Sequence, residues 1–99
     1  MRVVLQYFDG CPSWRVADDR LRRALQQLEV DAEVIYERVE TVEDARRLDF
    51  RGSPSLLVDG RDPFADQCAP VGLSCRIYQT QEGPRGAPSV DQLVAVLVP

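Results

Sequence analysis

Residues 7–14 read YFDGCPSW, which places a cysteine and a proline between two stretches of different periodicity. Upstream, Val3 to Phe8 is a short apolar run with β-branched and aromatic members, closed by Asp9-Gly10, and reads as a buried strand. Downstream, Trp14, Ala17, Leu21, Ala24, Leu25 and Leu28 recur at three- and four-residue spacing, with Asp18, Asp19, Arg22, Arg23 and Gln26 between them. That pattern predicts an amphipathic helix over 14–28 that begins just after Pro12, where proline is tolerated because first-turn amides have no intrahelical acceptor. Cys11 therefore falls between a strand end and a helix start, with Trp14 standing where a second cysteine would complete C-x-x-C.

Further along, Ala32 to Val39 contains Val34-Ile35-Tyr36 and predicts a second strand. Thr41, followed by Asp44, resembles an acidic capping box for a short helix carrying Val42, Ala45 and Leu48. In GSPSLLVDG, Pro54 opens an apolar run that Asp59-Gly60 closes, which predicts a third strand. Cys75, Ile77 and Gln79 alternate with Arg76 and Tyr78 in a fourth, edge-type strand, and EGPRGAP reads as a loop. Ser89 is the N-cap of a closing helix marked by Val90, Leu93, Val94 and Leu97. The expected order is β-α-β-α-β-β-α.

The composition is consistent with that reading. With 99 residues and 44% hydrophobic content, the chain supports one domain over 1–99 built around one core. The net charge of −4 gives no basic footprint for nucleic acid, and no segment approaches membrane-spanning length. Val3-Val4-Leu5 is too short for the apolar part of a signal peptide, so the cytoplasm is the expected location. In that compartment three cysteines favour thiols over a structural disulfide framework. The absence of histidine removes Cys-His catalysis and every zinc site that needs imidazole.

The element order, with a cysteine after the first strand and Ser53-Pro54 before the third, resembles the minimal thioredoxin fold at glutaredoxin size. The chain is similar in particular to small bacterial thioredoxin-like proteins with a D-G-C-P-S-W motif, some of which carry selenocysteine and some of which are labelled alkylmercury-lyase-like. The resemblance covers essentially the whole chain. It implies an α/β fold with a central four-stranded mixed sheet, Cys11 as nucleophile, Pro12 as the second motif position, and Pro54 as a cis-proline lying against the cysteine. Ser13, Trp14 and Ser53 complete the expected surroundings. Trp14 departs from the pattern by occupying the resolving cysteine's position.

A thiolate is the reactive form of cysteine, and an unassisted thiol with a pKa near ~8.5 is only slightly ionised at neutral pH. Assistance for Cys11 would come from the amide groups and dipole at the helix start, and from Arg15 if its side chain folds back. Asp9 would oppose it by like-charge repulsion, or accept a proton during exchange. Trp14 serves either as the first residue of the helix's core-facing stripe or as a wall for an apolar substrate. A mixed disulfide on Cys11 would need resolution by a small thiol, a partner protein, Cys68 or Cys75.

A returning strand that starts at the far pole would keep Cys75 remote from Cys11, whereas Cys68, inside the long RDPFADQCAPVGLS connection, would have freedom to fold back. Cys68 and Cys75 are also spaced for a small disulfide clip, or are unrelated thiols. Pro63-Phe64 and Pro70-Val71 are expected to pack locally. Asp59, Asp62 and Asp66 lack the density and spacing of a calcium loop, so neither a hard metal nor another cofactor is expected.

Three functions fit the sequence. The first is a monothiol thiol–disulfide oxidoreductase or thiol peroxidase acting on a protein or small-molecule disulfide, with Ser53-Pro54 presenting backbone groups to substrate. The second is a soft-metal or organomercurial binder using thiolates. The third is a redox-inert adaptor.

Overall fold

The computed structural model describes residues 1–65 and 68–98. Strand β1, Arg2–Tyr7, lies in the middle of a three-stranded sheet. Helix α1, Ser13–Leu28, crosses to β2, Glu33–Arg38, which pairs parallel with β1 from Arg2↔Glu33 to Tyr7↔Arg38. Helix α2, Val42–Leu48, then leads to β3, Ser55–Val58, which pairs antiparallel with the other edge of β1 from Gln6↔Ser55 to Val3↔Val58. A hairpin of β4, Tyr78–Thr80, and β5, Gly83–Arg85, precedes helix α3, Val90–Leu97. The result is an α/β domain with a mixed sheet.

The local chemistry explains these elements. α1 buries Ala17, Leu21, Ala24 and Leu25, the stripe read from spacing, and packs against α3. Val3, Leu5, Leu56, Leu93 and Leu97 complete the main core. A smaller cluster of Val39, Ala45 and Phe50 lies under α2, with Phe8 and Val71 packed onto it. Thr41 caps α2 by accepting from the Asp44 N–H at 3.1 Å. Ser89 caps α3 in a reciprocal box with Gln92. Gln6, buried in the central strand, has its amide satisfied by donating to Glu37 at 2.8 Å.

Three expectations are corrected. The four-stranded sheet is instead a sheet in the order β2-β1-β3 and a separate β4-β5 hairpin, and Gly83–Arg85, inside EGPRGAP, is a strand. The order is therefore β-α-β-α-β-β-β-α. The expected edge strand from Cys75 to Gln79 begins only at Tyr78, because Cys75 makes an isolated parallel bridge to Ser53. The buried members of that alternation are Arg76 and Tyr78. Arg76 is held inside by Asp62 at 2.7 Å, by Ser55 Oγ at 3.2 Å and by the Phe64 carbonyl. A charged side chain so enclosed follows its partners rather than a regular sheet ladder.

The core argument carries a number. Leu21→Ala removes a fully buried side chain at the α1 face and is expected to cost about 2–5 kcal/mol, read as a lower urea midpoint at unchanged slope.

Candidate functional site: two thiols across Ser53

The turn from β1 into α1 is short. The Cys11 N–H donates to the Phe8 carbonyl at 3.2 Å, Pro12 takes the N-cap position without a side-chain cap, and the Arg15 N–H donates to the Pro12 carbonyl at 3.1 Å. These constraints place Cys11 at the entrance of α1 with its side chain 0% exposed. Its Sγ lies 3.5 Å from the Ser53 carbonyl oxygen, to which the thiol donates. The Ser53–Pro54 peptide bond is cis, and both residues are buried. The cysteine and the Ser-Pro dipeptide, separated in sequence, thus meet as expected.

The neighbours of Cys11 are arranged differently from the sequence expectation. Asp9 turns to Arg38, pairing at 2.7 Å, so its charge is engaged there. Arg15 lies over the Trp14 ring, 5.0 Å from its centroid. Trp14 stacks on Tyr7 at 4.2 Å between centroids and packs on the main core, the structural role of the two considered. A β-carbon at Gly86 would collide with the Ser13 side chain, so the segment after β5 sits directly on the first turn of α1.

The backbone of Ser53, expected to face a substrate, is engaged internally. Its N–H donates to the Ser74 carbonyl at 2.8 Å, and its carbonyl accepts from the Arg76 N–H at 2.9 Å. The intervening residue is Cys75. This corrects the expectation that Cys75 lies across the molecule. Cys75 thus flanks the same Ser53 peptide as Cys11, and interaction with the Cys11 thiol raises the Cys75 pKa, with burial and charge repulsion from Cys11 adding to the rise.

The physical reason for the correction is the course of the connection after β3. A hairpin needs only about 2–5 residues and would start the next strand at the far pole. Here the described residues of the connection, 59–65 and 68–74, bring the chain back to the α1 entrance, where the Ser74 carbonyl accepts from the Ser53 N–H. Arg51 donates to the Ala69 carbonyl at 2.5 Å, the Gly72 N–H donates to the Phe50 carbonyl at 3.1 Å, and Val71 packs beside Phe50. Residues 50–53 thus hold the returning chain alongside them. Phe64 packs on the core edge-to-face with Tyr78, 5.5 Å between centroids, so this part of the connection packs locally as expected. Cys68 is exposed. Asp66, considered with the acidic residues, lies outside the described residues.

Three positions that support the site escaped the sequence reading. Gly52 has φ +121°, and a β-carbon there would stand 3.0 Å from Arg76 Cβ and 3.2 Å from its Cα and backbone N. Arg76, 7% exposed, is locked to Asp62 directly after Cys75. Tyr78 donates its hydroxyl to the Pro54 carbonyl at 2.6 Å, and burial pushes its pKa far above the ordinary phenol value, so it remains a donor. The available signals were a glycine directly before Ser53-Pro54 and a single charge within an apolar alternation.

Comparison with family models, with curated proteins and with solved structures returned no match. The site's meaning therefore rests on its own chemistry. Among the described residues, no group of three or more Cys, Asp or Glu is arranged to hold a metal ion, and no helix is long and apolar enough to cross a membrane.

Two outcomes test the geometry. Gly52→Ala forces a side chain into a left-handed backbone against Arg76 and is expected to cost about 1–3 kcal/mol and to slow Cys11–Cys75 pairing. Denaturant unfolding and the rate of oxidation check it. Because Cys11 raises the Cys75 pKa, Cys11→Ala should move the pH midpoint of Cys75 alkylation downward. The iodoacetamide rate at the Cys75 peptide, followed against pH, provides that measurement.

Proposed function

We propose that this chain is a thioredoxin-like thiol–disulfide oxidoreductase in which Cys11 operates with Cys75 rather than as a monothiol. The observation that carries the reading is the placement of two cysteines beside one backbone group: Cys11 donates to the Ser53 carbonyl, and Cys75 is bridged to Ser53. The surroundings support it. A parallel β-α-β unit carries the cysteine at the start of its helix, and an antiparallel strand on the other side of β1 is preceded by cis-Pro54. Trp14 removes a second cysteine from α1, and Cys75 supplies the second thiol from the returning chain.

The substrate class is a disulfide, in a protein or a small molecule, or a peroxide that oxidises the same pair. A cytoplasmic setting belongs to the proposal, since a reducing thiol pool would return the pair to dithiol.

A second reading has one specific observation in its favour. Two thiolates within reach of each other suit a soft ion that accepts two-coordinate sulfur ligation, such as mercury(II) or copper(I). A redox-inert adaptor is favoured by the complete burial of Cys11.

Equilibration in glutathione redox buffers, followed by acid quench, alkylation and peptide mapping, separates these readings. The expected result is a Cys11–Cys75 disulfide, together with disulfide reduction that falls to the uncatalysed rate in Cys11→Ser. Failure of the pair to oxidise under any poise would remove the oxidoreductase reading. Stoichiometric mercury(II) uptake lost in both Cys11→Ser and Cys75→Ser, without turnover, would establish the metal reading instead.

A further inference from the structure

The two sulfurs differ in access. Cys11 is completely enclosed between β1, α1 and Ser53, whereas Cys75 is exposed on the segment laid across it. Thiol–disulfide exchange requires the attacking sulfur to reach the sulfur attacked, along the axis of the bond being broken. An external molecule therefore meets Cys75 first.

We infer that Cys75 is the sulfur that exchanges with substrate and that Cys11 is the internal resolving sulfur, the reverse of the roles that the sequence suggests. This inference rests on the oxidoreductase reading. In the direction of substrate reduction, Cys75 gives up its proton and attacks one sulfur of an external disulfide R–S–S–R. A Cys75–S–S–R bond forms, the R–S–S–R bond breaks, and the departing RS⁻ takes up a proton to become RSH. Cys11 then gives up its proton and attacks the Cys75 Sγ. The Cys11–Cys75 disulfide bond forms, the bond between Cys75 Sγ and the sulfur of RS breaks, and the second RS⁻ takes up a proton and leaves as RSH. The substrate gains two electrons and two protons from the two protein thiols. In reverse, an external thiolate attacks the exposed Cys75 sulfur of the oxidised protein, and Cys11 leaves at the entrance of α1, where first-turn amides lack intrahelical acceptors.

The fold supports this division of labour. Arg76 and Gly52 fix the segment that carries Cys75, so the sulfur that contacts substrate remains within reach of the one that resolves it.

The test uses the full chain with glutathione disulfide as probe and peptide mapping after acid quench, which also reads Cys68 separately. Reduced Cys11→Ser is expected to accumulate glutathione on Cys75, whereas reduced Cys75→Ser should acquire it on Cys11 at least about tenfold more slowly. In denaturant, where burial is removed, that difference should collapse. Oxidised wild-type protein pulsed with glutathione should carry the adduct on Cys75. If the wild-type protein forms the internal disulfide but glutathione maps to Cys11, or reacts faster at Cys11 in Cys75→Ser, the role assignment is overturned and the oxidoreductase reading stands. If no internal disulfide forms, both fall.

Discussion

Ser53 is the residue on which the arrangement depends. It is buried, and its polar atoms connect the segments that make the site: its hydroxyl accepts from the Phe8 N–H at 3.3 Å, its N–H donates to Ser74, and its carbonyl accepts from both Arg76 and the Cys11 thiol. A buried backbone group must have partners, because an unsatisfied one costs about as much as a lost hydrogen bond. Here that requirement is met only when the end of β1, the entrance of α1 and the returning chain converge. The two cysteines are neighbours because both flank this one satisfied peptide unit.

The returning chain is held by complementary means. Arg76 is a nearly buried cation, a state tolerated only with close, well-aligned acceptors. Asp62, Ser55 and the Phe64 carbonyl supply them, and the Arg76 guanidinium also lies over the Tyr78 ring at 4.7 Å. Tyr78 in turn ties to the Pro54 carbonyl, and Ser55 Oγ donates to the Gly52 carbonyl at 2.6 Å. The Arg76–Ser55 and Tyr78–Pro54 contacts link the segment after Cys75 to the residues flanking Ser53. Loss of one partner would leave a charge or donor exposed to an apolar surround, so the network acts as a unit rather than as independent bonds.

Under the proposed function, burial of Cys11 does not by itself make it inert. A single enclosed thiol has no route to an external sulfur, but an enclosed thiol in contact with an exposed one communicates with solvent through its neighbour. In the proposed exchange the chemistry passes through the pair, and the order of events follows from access.

The sequence determined the local elements. The stripe from Trp14 to Leu28 gave α1, the caps at Thr41 and Ser89 gave the starts of α2 and α3, and Cys11 was legible at a strand–helix junction because hydrophobic period and capping are encoded by near neighbours. The meeting of Cys11 with Ser53-Pro54 was foreseen only through family resemblance. The placement of Cys75 beside Ser53 and the inward turn of Arg76 were decided by tertiary structure. They depend on where a long connection returns, and that path is set by contacts such as Val71 on Phe50 and Arg51 on Ala69, which no local pattern encodes. Pairing across such a distance in sequence is a property of the closed core, since only there does a buried carbonyl at Ser53 select which segment comes to lie beside it.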